Sequence, residues 1–174
     1  MEIDYRKLNV ADAAAYRKVR LECLFEFPDN FGSTHREESK QKQLKFEKII
    51  SEEDPHSFMV GAFDGERLIG LCGFNREDRL KTKHRGEIVQ MYVNREYANR
   101  NIGSDLLQST ITHAFENTEI EQISLSLVAQ NEKAHQVYIK LGFSEYGRIS
   151  NYFKEGARYW DQRFMIMYRD KNKP

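Results

Sequence analysis

Val89-Gln90-Met91-Tyr92-Val93, followed by Ala98-Asn99-Arg100-Asn101-Ile102-Gly103-Ser104, is the stretch that decides how this chain folds. The first five residues end a strand-like run that begins at Glu87. After the second segment, Ile102, Leu106, Leu107, Thr110, Ile111, Ala114 and Phe115 recur at helical spacing and share one face. A strand that turns sharply into a helix aims unpaired backbone N–H groups and the positive end of the helix dipole at one point, which suits a pyrophosphate. Asn99 and Asn101 are, after glycine, the residues best able to take the left-handed backbone such a nest demands, and Arg100 adds charge. The same residues also suit an ordinary strand-to-helix turn capped by Asn and Gly.

Outward from this junction, strands and helices alternate. Upstream, Ser57-Phe58-Met59-Val60-Gly61-Ala62-Phe63 and Arg67-Leu68-Ile69-Gly70-Leu71-Cys72-Gly73-Phe74 are joined by Asp64-Gly65. Asp-Gly supplies the positive φ of a tight hairpin, so the two runs are expected to be adjacent antiparallel strands. Before them the pattern predicts a strand over 2–8, a helix over 11–26 with Ala15, Val19 and Cys23 every four residues, and a more charged helix over 36–53 stopped by Pro55. Downstream, residues 122–129 alternate as a strand does, with Ile123, Leu125 and Leu127 on one side. After Asn131, the residues Ala134, Val137, Tyr138 and Leu141 share a helical face, and Gly142 is a natural stop. Two last strands, 143–149 and 159–168, are expected to flank a polar and aromatic loop from Ser150 to Arg158. This order is a mixed α/β plan around one sheet.

The chain has 174 residues, of which 40% are apolar and 3 are Pro, and no linker interrupts it, which predicts a single domain over 1–174. Its 27 Lys and Arg balance 27 Asp and Glu, so no global field attracts a polyanion and no nucleic-acid partner is expected. No apolar run approaches the roughly 18 residues of a membrane-spanning helix, which predicts a soluble chain with no membrane partner. Cys23 and Cys72 lie in apolar surroundings, and Met1-Glu2-Ile3-Asp4-Tyr5-Arg6 lacks the features of a secretory signal. Both point to a reducing cytoplasm.

Several chemistries lack their spacings. The five histidines form no H-x-x-x-H and there is no C-x-x-C, so no metal site is expected. Gly142 to Gly147 reads G-x-S-x-x-G rather than G-x-S-x-G, and no strand leads directly into it, which argues against a serine hydrolase. The glycines between 61 and 73 are not followed by the Lys and Ser or Thr of a phosphate-binding P-loop. Cys72, inside Leu-Cys-Gly-Phe on a strand, reads as an inert core thiol.

About 30 residues past the junction, after the expected helix and strand, comes Asn131-Glu132-Lys133-Ala134-His135-Gln136-Val137-Tyr138-Ile139-Lys140-Leu141-Gly142-Phe143. Together the two segments resemble the acetyl-CoA-dependent N-acyltransferases of the GNAT superfamily. The pyrophosphate loop of that superfamily reads [QR]-x-x-G-x-[GA] after a strand, and a later segment reads N-x-x-A-x-x-x-Y-x-x-x-G-F. The second pattern is matched at Asn131, Ala134, Tyr138, Gly142 and Phe143. The loop departs twice, with Ala98 where Arg or Gln is usual and Asn101 where the first Gly is usual. Asn101 can still take positive φ, whereas Ala98 removes a polar side chain that would support the loop or the phosphates.

The resemblance implies a fold class: an α/β domain with one mixed, mostly antiparallel sheet flanked by helices, its central strands splayed. It also implies that acetyl-CoA binds as cosubstrate in the wedge between the strand ending at Val93 and the strand 122–129. Backbone groups of Met91, Tyr92 and Val93 would bond the pantetheine arm like an added strand. Ala98, Asn99, Arg100, Asn101, Ile102, Gly103 and Ser104 would surround the pyrophosphate, and Asn131, Ala134 and Tyr138 would flank the cofactor from the later motif. An N–H near Met91 would stabilise the tetrahedral oxyanion. Tyr138 would face the sulfur and act as general acid, since a phenol keeps its proton at pH 7; otherwise it simply packs with Val137 and Leu141.

The amine acceptor must attack as a neutral amine. Neutralising a lysine-type amine at pH 7 costs about 4.6 kcal/mol and an α-amine only about 1.4 kcal/mol. Glu87 matches the position where members of the superfamily carry a base; the alternative is a solvent-facing carboxylate beside Arg85, and counting faces does not decide it where the strand bulges. Acceptor recognition is expected from the loop Phe27 to His35 and from Tyr152, Phe153, Tyr159 and Trp160, with Glu155 and Asp161 beside them to receive a cation. The same aromatics suit core cover or a homodimer contact equally well. A rival of another class is a catalytically inactive acyl-CoA-sensing or protein-interaction module on the same fold, which the altered residue Ala98 keeps open.

Overall fold

A computed structural model describes residues 2–170; Met1 and residues 171–174, the two ends of the expected domain, lie outside the described residues. The Asp64-Gly65 turn forms as its chemistry requires, with Gly65 at φ +58° between β2 (Phe58–Asp64) and β3 (Arg67–Arg76). The other strands are β1 (Ile3–Lys7), β4 (Arg85–Val93), β5 (Gln122–Val128), β6 (Ser144–Glu155) and β7 (Arg158–Tyr168). They form one seven-stranded sheet in the order β1-β2-β3-β4-β5-β7-β6. Every neighbouring pair is antiparallel except β4 and β5, which run parallel.

Helices cover both faces, as the nearly continuous apolar runs of β2 and β3 require. On one face, α1 (Ala13–Glu26), α2 (His35–Glu38) and α3 (Lys45–Glu52) cover a core of Tyr16, Val19, Cys23, Leu44, Phe46 and Leu71. On the other, α4 (Ile102–Glu116) and α5 (Glu132–Lys140) enclose Ile69, Cys72, Ile88, Leu106, Leu107 and Tyr138. Burying one such large side chain contributes roughly 1.5–3 kcal/mol. Two cores back to back on one sheet account for a stable frame.

Two local expectations are corrected. The helix expected over 36–53 is two helices, because Thr34 and Glu37 cap α2 reciprocally and the polar stretch from Ser39 to Gln43 offers no apolar anchor to continue it. The chain restarts where Glu47 accepts the Leu44 N–H at 2.6 Å, and it stops at Glu53, left-handed at φ +50°, before Pro55 is reached. The loop expected over 150–158 is mostly strand. β6 and β7 pair up to Glu155 and Arg158 across a tight turn in which Gly156 takes φ +59°, and the polar run is absorbed by a bulge between Ile149 and Phe153 with Asn151 at φ +55°.

Candidate active site

The site begins where the sheet comes apart. β4 and β5 are paired only from Arg85–Gln122 to Ile88–Leu125, although β4 continues to Val93 and β5 to Val128. Each is held on its outer side, β4 by β3 and β5 by β7. The inner edges therefore carry backbone donors and acceptors that the sheet does not use, beyond Ile88 on β4 and beyond Leu125 on β5. The cause on β4 is a bulge: Tyr92 pairs with Leu71 and Val89 with Gly73, so Gln90 and Met91 together face Cys72. Gln90 takes the left-handed φ of +55°, and Tyr16 donates its hydroxyl proton to Gln90 Oε1 at 2.9 Å. Opposite the bulge a Cβ on Gly73 would lie 2.9 Å from the Phe46 ring, which leaves glycine as the fitting residue.

Beyond β4 the chain makes a 3-10 turn and reaches Ala98, extended at φ −62° with its N–H given to Arg95 O at 3.1 Å. Ala98 thus has no backbone donor left to offer. Asn99 and Asn101 are both left-handed, at φ +62° and +61°. Asn101 opens α4, and its side chain makes no cap, so the first-turn N–H groups at Ile102, Gly103 and Ser104 stay uncapped. Gly103 lies over Met91, whose methyl would be 3.4 Å from a Cβ there. The guanidinium of Arg100 lies 5.6 Å from the Tyr97 ring centre. Lys133, from the first turn of α5, donates to Asn99 Oδ1 at 2.8 Å and so adds an ammonium to this loop. The first-turn carboxylate, Asp105, accepts from Tyr5 at 3.5 Å.

Asn131 is the N-cap of α5, its side chain accepting the Ala134 N–H at 3.1 Å. The helix is clasped to β7 by Arg163, which donates to Glu132 and approaches His135 Nδ1 at 2.7 Å. This fixes Tyr138, 7% exposed, against the edge of Phe143 with ring centres 6.1 Å apart. Burial, and to a lesser degree the neighbouring Cys72, pushes the Tyr138 phenol well above its ordinary range. Burial likewise pushes the Cys72 thiol up to about 12, which keeps it protonated and inert.

Glu87 lies on the opposite side of the sheet. Along β4, Ile88, Met91 and Val93 pack into the α4 core, whereas Val89 and Tyr92 pack into the α1 core. Glu87 shares the latter side, where burial raises its carboxyl above the usual range against the opposing pull of Lys45, the first residue of α3. On that side a cleft of about 490 Å³ opens between Asp29 and Asn30 after α1, Val128 to Asn131 after β5, and Arg158 to Trp160 on β7. Asp29 and Arg158 form an ion pair across it at 2.9 Å. Phe153 reaches the loop from Phe27 to His35, packing so close to Gly32 that a Cβ there would be 2.8 Å from its ring. Asp161 is engaged elsewhere: Arg148 at 2.7 Å and the Asn151 N–H at 2.9 Å hold its carboxyl well below the usual range. Among the residues that sequence reasoning missed are Tyr16, Gln90 and Lys133. Tyr16 and Gln90 are 74 positions apart, and no local pattern joins them.

The comparison with known families bears on this wedge. A model described as the acetyltransferase (GNAT) family matches residues 19–143. The chain belongs to the GNAT family. N-alpha-acetyltransferase 30 of Schizosaccharomyces pombe is 29% identical over 100 residues, covering 58% of this chain and 66% of that protein. A GNAT-family acetyltransferase from Streptococcus pneumoniae superposes with a TM-score of 0.80 at 20% identity, over 97% of this chain and 100% of that one. An acetyltransferase structure from Salmonella typhimurium, solved with its cofactor acetyl-CoA, has a TM-score of 0.78 at 15% identity, over 100% of this chain and 98% of that one. These structural likenesses are of fold, and they bear out the splayed, mostly antiparallel sheet. The chain spans less than two thirds of the length of the curated relatives it matches.

Proposed function

We propose that this chain is an acetyl-CoA-dependent N-acetyltransferase, a single cytoplasmic domain that moves an acetyl group directly to a primary amine in a ternary complex. The observation that carries this reading is the unpaired wedge between β4 and β5, with Tyr138 on one side of the sheet and Glu87 on the other. The donor fits from the α4 side. The uncapped N–H groups at the start of α4, with Arg100 and Lys133 nearby, suit a pyrophosphate, and the free inner edges of β4 and β5 suit the amides of a pantetheine arm. The acceptor fits from the α1 side through the cleft beside Asp29 and Trp160.

In this reading Glu87 takes a proton from the incoming ammonium, and the neutral nitrogen attacks the thioester carbonyl. An N–H of the Gln90–Met91 bulge meets the developing oxyanion. As the C–N bond completes, the C–S bond breaks, Tyr138 donates to the departing sulfur, and the proton that the nitrogen sheds on becoming an amide returns the phenolate to phenol. A phenol kept protonated by burial holds its proton ready for that moment at any physiological pH. The raised carboxyl of Glu87 is a stronger base than an ordinary glutamate, which suits the demand for a neutral amine. The name of the fission-yeast relative makes peptides with free α-amino groups the first acceptors to try.

The test is calorimetric titration with acetyl-CoA and CoA, then thiol release with a panel of peptides, amino acids, lysine and polyamines. Micromolar binding and turnover of at least one amine are expected; binding with no turnover across the panel overturns the enzyme in favour of an acyl-CoA-binding module. The base has its own signature. Rate at limiting amine should rise with pH through the raised pKa of Glu87, and Glu87→Gln should lower it roughly 10²-fold and remove that limb. The sign for stability is opposite. A carboxyl raised in the folded state contributes stability below its unfolded pKa and loses it as pH rises through the folded one. Glu87→Gln should therefore unfold at a higher temperature than the parent at pH 7, and an unchanged or lower one would argue against a desolvated carboxylate.

A further inference from the structure

We propose that Tyr16 is a positioning residue for the transfer, holding Gln90 in the left-handed conformation that turns the β4 bulge into the wedge. This inference rests on the transferase reading above and adds to it a residue from the opposite side of the molecule. Tyr16, the fourth residue of α1, has no exposed surface and does not line the cleft. Its ring is wedged against Phe46, with centres 6.5 Å apart, so the hydroxyl has a fixed direction. That hydroxyl donates to Gln90 Oε1 at 2.9 Å.

Gln90 needs such a partner. A non-glycine residue at φ +55° sits where its Cβ crowds the following carbonyl, and glutamine lacks the short side chain with which asparagine bonds its own backbone there. The other left-handed non-glycine residues include Asn99, Asn101 and Asn151, for which that local help is available. Gln90 is also the one of this group inside β4, where ladder pairing with β3 is broken between Leu71 and Gly73. An ordinary extended residue at 90 would restore the alternation and swing the Met91 backbone out of the wedge. The Tyr16 hydroxyl removes that alternative by fastening the side chain from behind, and the adjacent Arg20–Glu38 ion pair, at 2.7 Å, locks α1 to α2 one turn further on.

Three variants test it. Tyr16→Phe keeps the ring and deletes the hydroxyl. It should lower kcat roughly 10–100-fold, the scale on which a misplacement of about 1 Å slows an enzyme, while CoA affinity by calorimetry changes less than about twofold because the pyrophosphate loop is untouched. Gln90→Gly supplies the reference background, since glycine takes positive φ unaided. Tyr16→Phe in the Gln90→Gly background should then cost little, because nothing is left to hold. A hydroxyl that served only core stability would lower the melting temperature in both backgrounds and show no such rescue. Normal kcat in Tyr16→Phe, or an equal loss in the glycine background, overturns the proposal. Crystal structures of the same variants supply an arm independent of turnover: Gln90 should leave the left-handed region in Tyr16→Phe, and its staying there overturns the clamp. Absence of turnover in the parent chain would count against the transferase reading and leave this structural arm to decide the clamp separately.

Discussion

The two helices that follow the parallel strands, α4 after β4 and α5 after β5, both begin at an asparagine, and the two asparagines do opposite things. Asn131 turns its side chain inward to accept the Ala134 N–H and so takes up a donor of its own helix start. Asn101 takes φ +61°, caps nothing with its side chain, and leaves the α4 N–H groups open. A helix N-terminus is an anion site only when its donors are unspent. The difference supports the proposal that α4 holds a phosphate while α5 carries a side chain, Tyr138, at a fixed place.

That division can be broken at three points. Tyr138→Phe attacks what α5 carries, and kcat should fall by about 10²-fold with CoA affinity intact; unchanged turnover would remove Tyr138 from the chemistry. Asn101→Asp sets a negative charge at the open end of α4, and CoA should bind roughly tenfold more weakly by calorimetry, about 1.4 kcal/mol. An unaltered affinity would mean that the phosphates do not sit there. The smallest effect belongs to Asn131→Ala, which should cost about 1 kcal/mol in denaturant unfolding as a lost cap. Its CoA affinity, measured well below the transition, should match the parent, and a large loss there would make Asn131 a ligand contact as well as a cap.

Much of this was legible in short windows of sequence. The left-handed asparagines of the 98–104 loop, the Asp64-Gly65 turn and the tyrosine and glycine of the 131–143 segment each depend on a few neighbouring residues, and each stands where its pattern put it. The 36–53 helix and the 150–158 loop misled for a related reason. Charged helical residues continue through 39–43 with nothing apolar to pack, and the polar strand beyond Ile149 is held only by its partner β7. Asp161 read as a free carboxylate because Arg148 and Asn151, which hold it, belong to the other strand of the hairpin.

By itself, then, the sequence determined the order of elements, the turn chemistry, the open helix start and the placement of Tyr138 on an inward face of α5. All of these follow from backbone preference and side-chain period over a handful of consecutive residues. Only the tertiary structure decided which side of the sheet receives Glu87. Simple alternation along β4 would set Ile88 with Gln90, but the bulge opposite Cys72 inserts a residue, so that Ile88 shares its side with Met91 and Val93 instead. That extra residue is stabilised by Tyr16, which α1 brings from far along the chain, and pairing between segments so distant exists only once the sheet has formed.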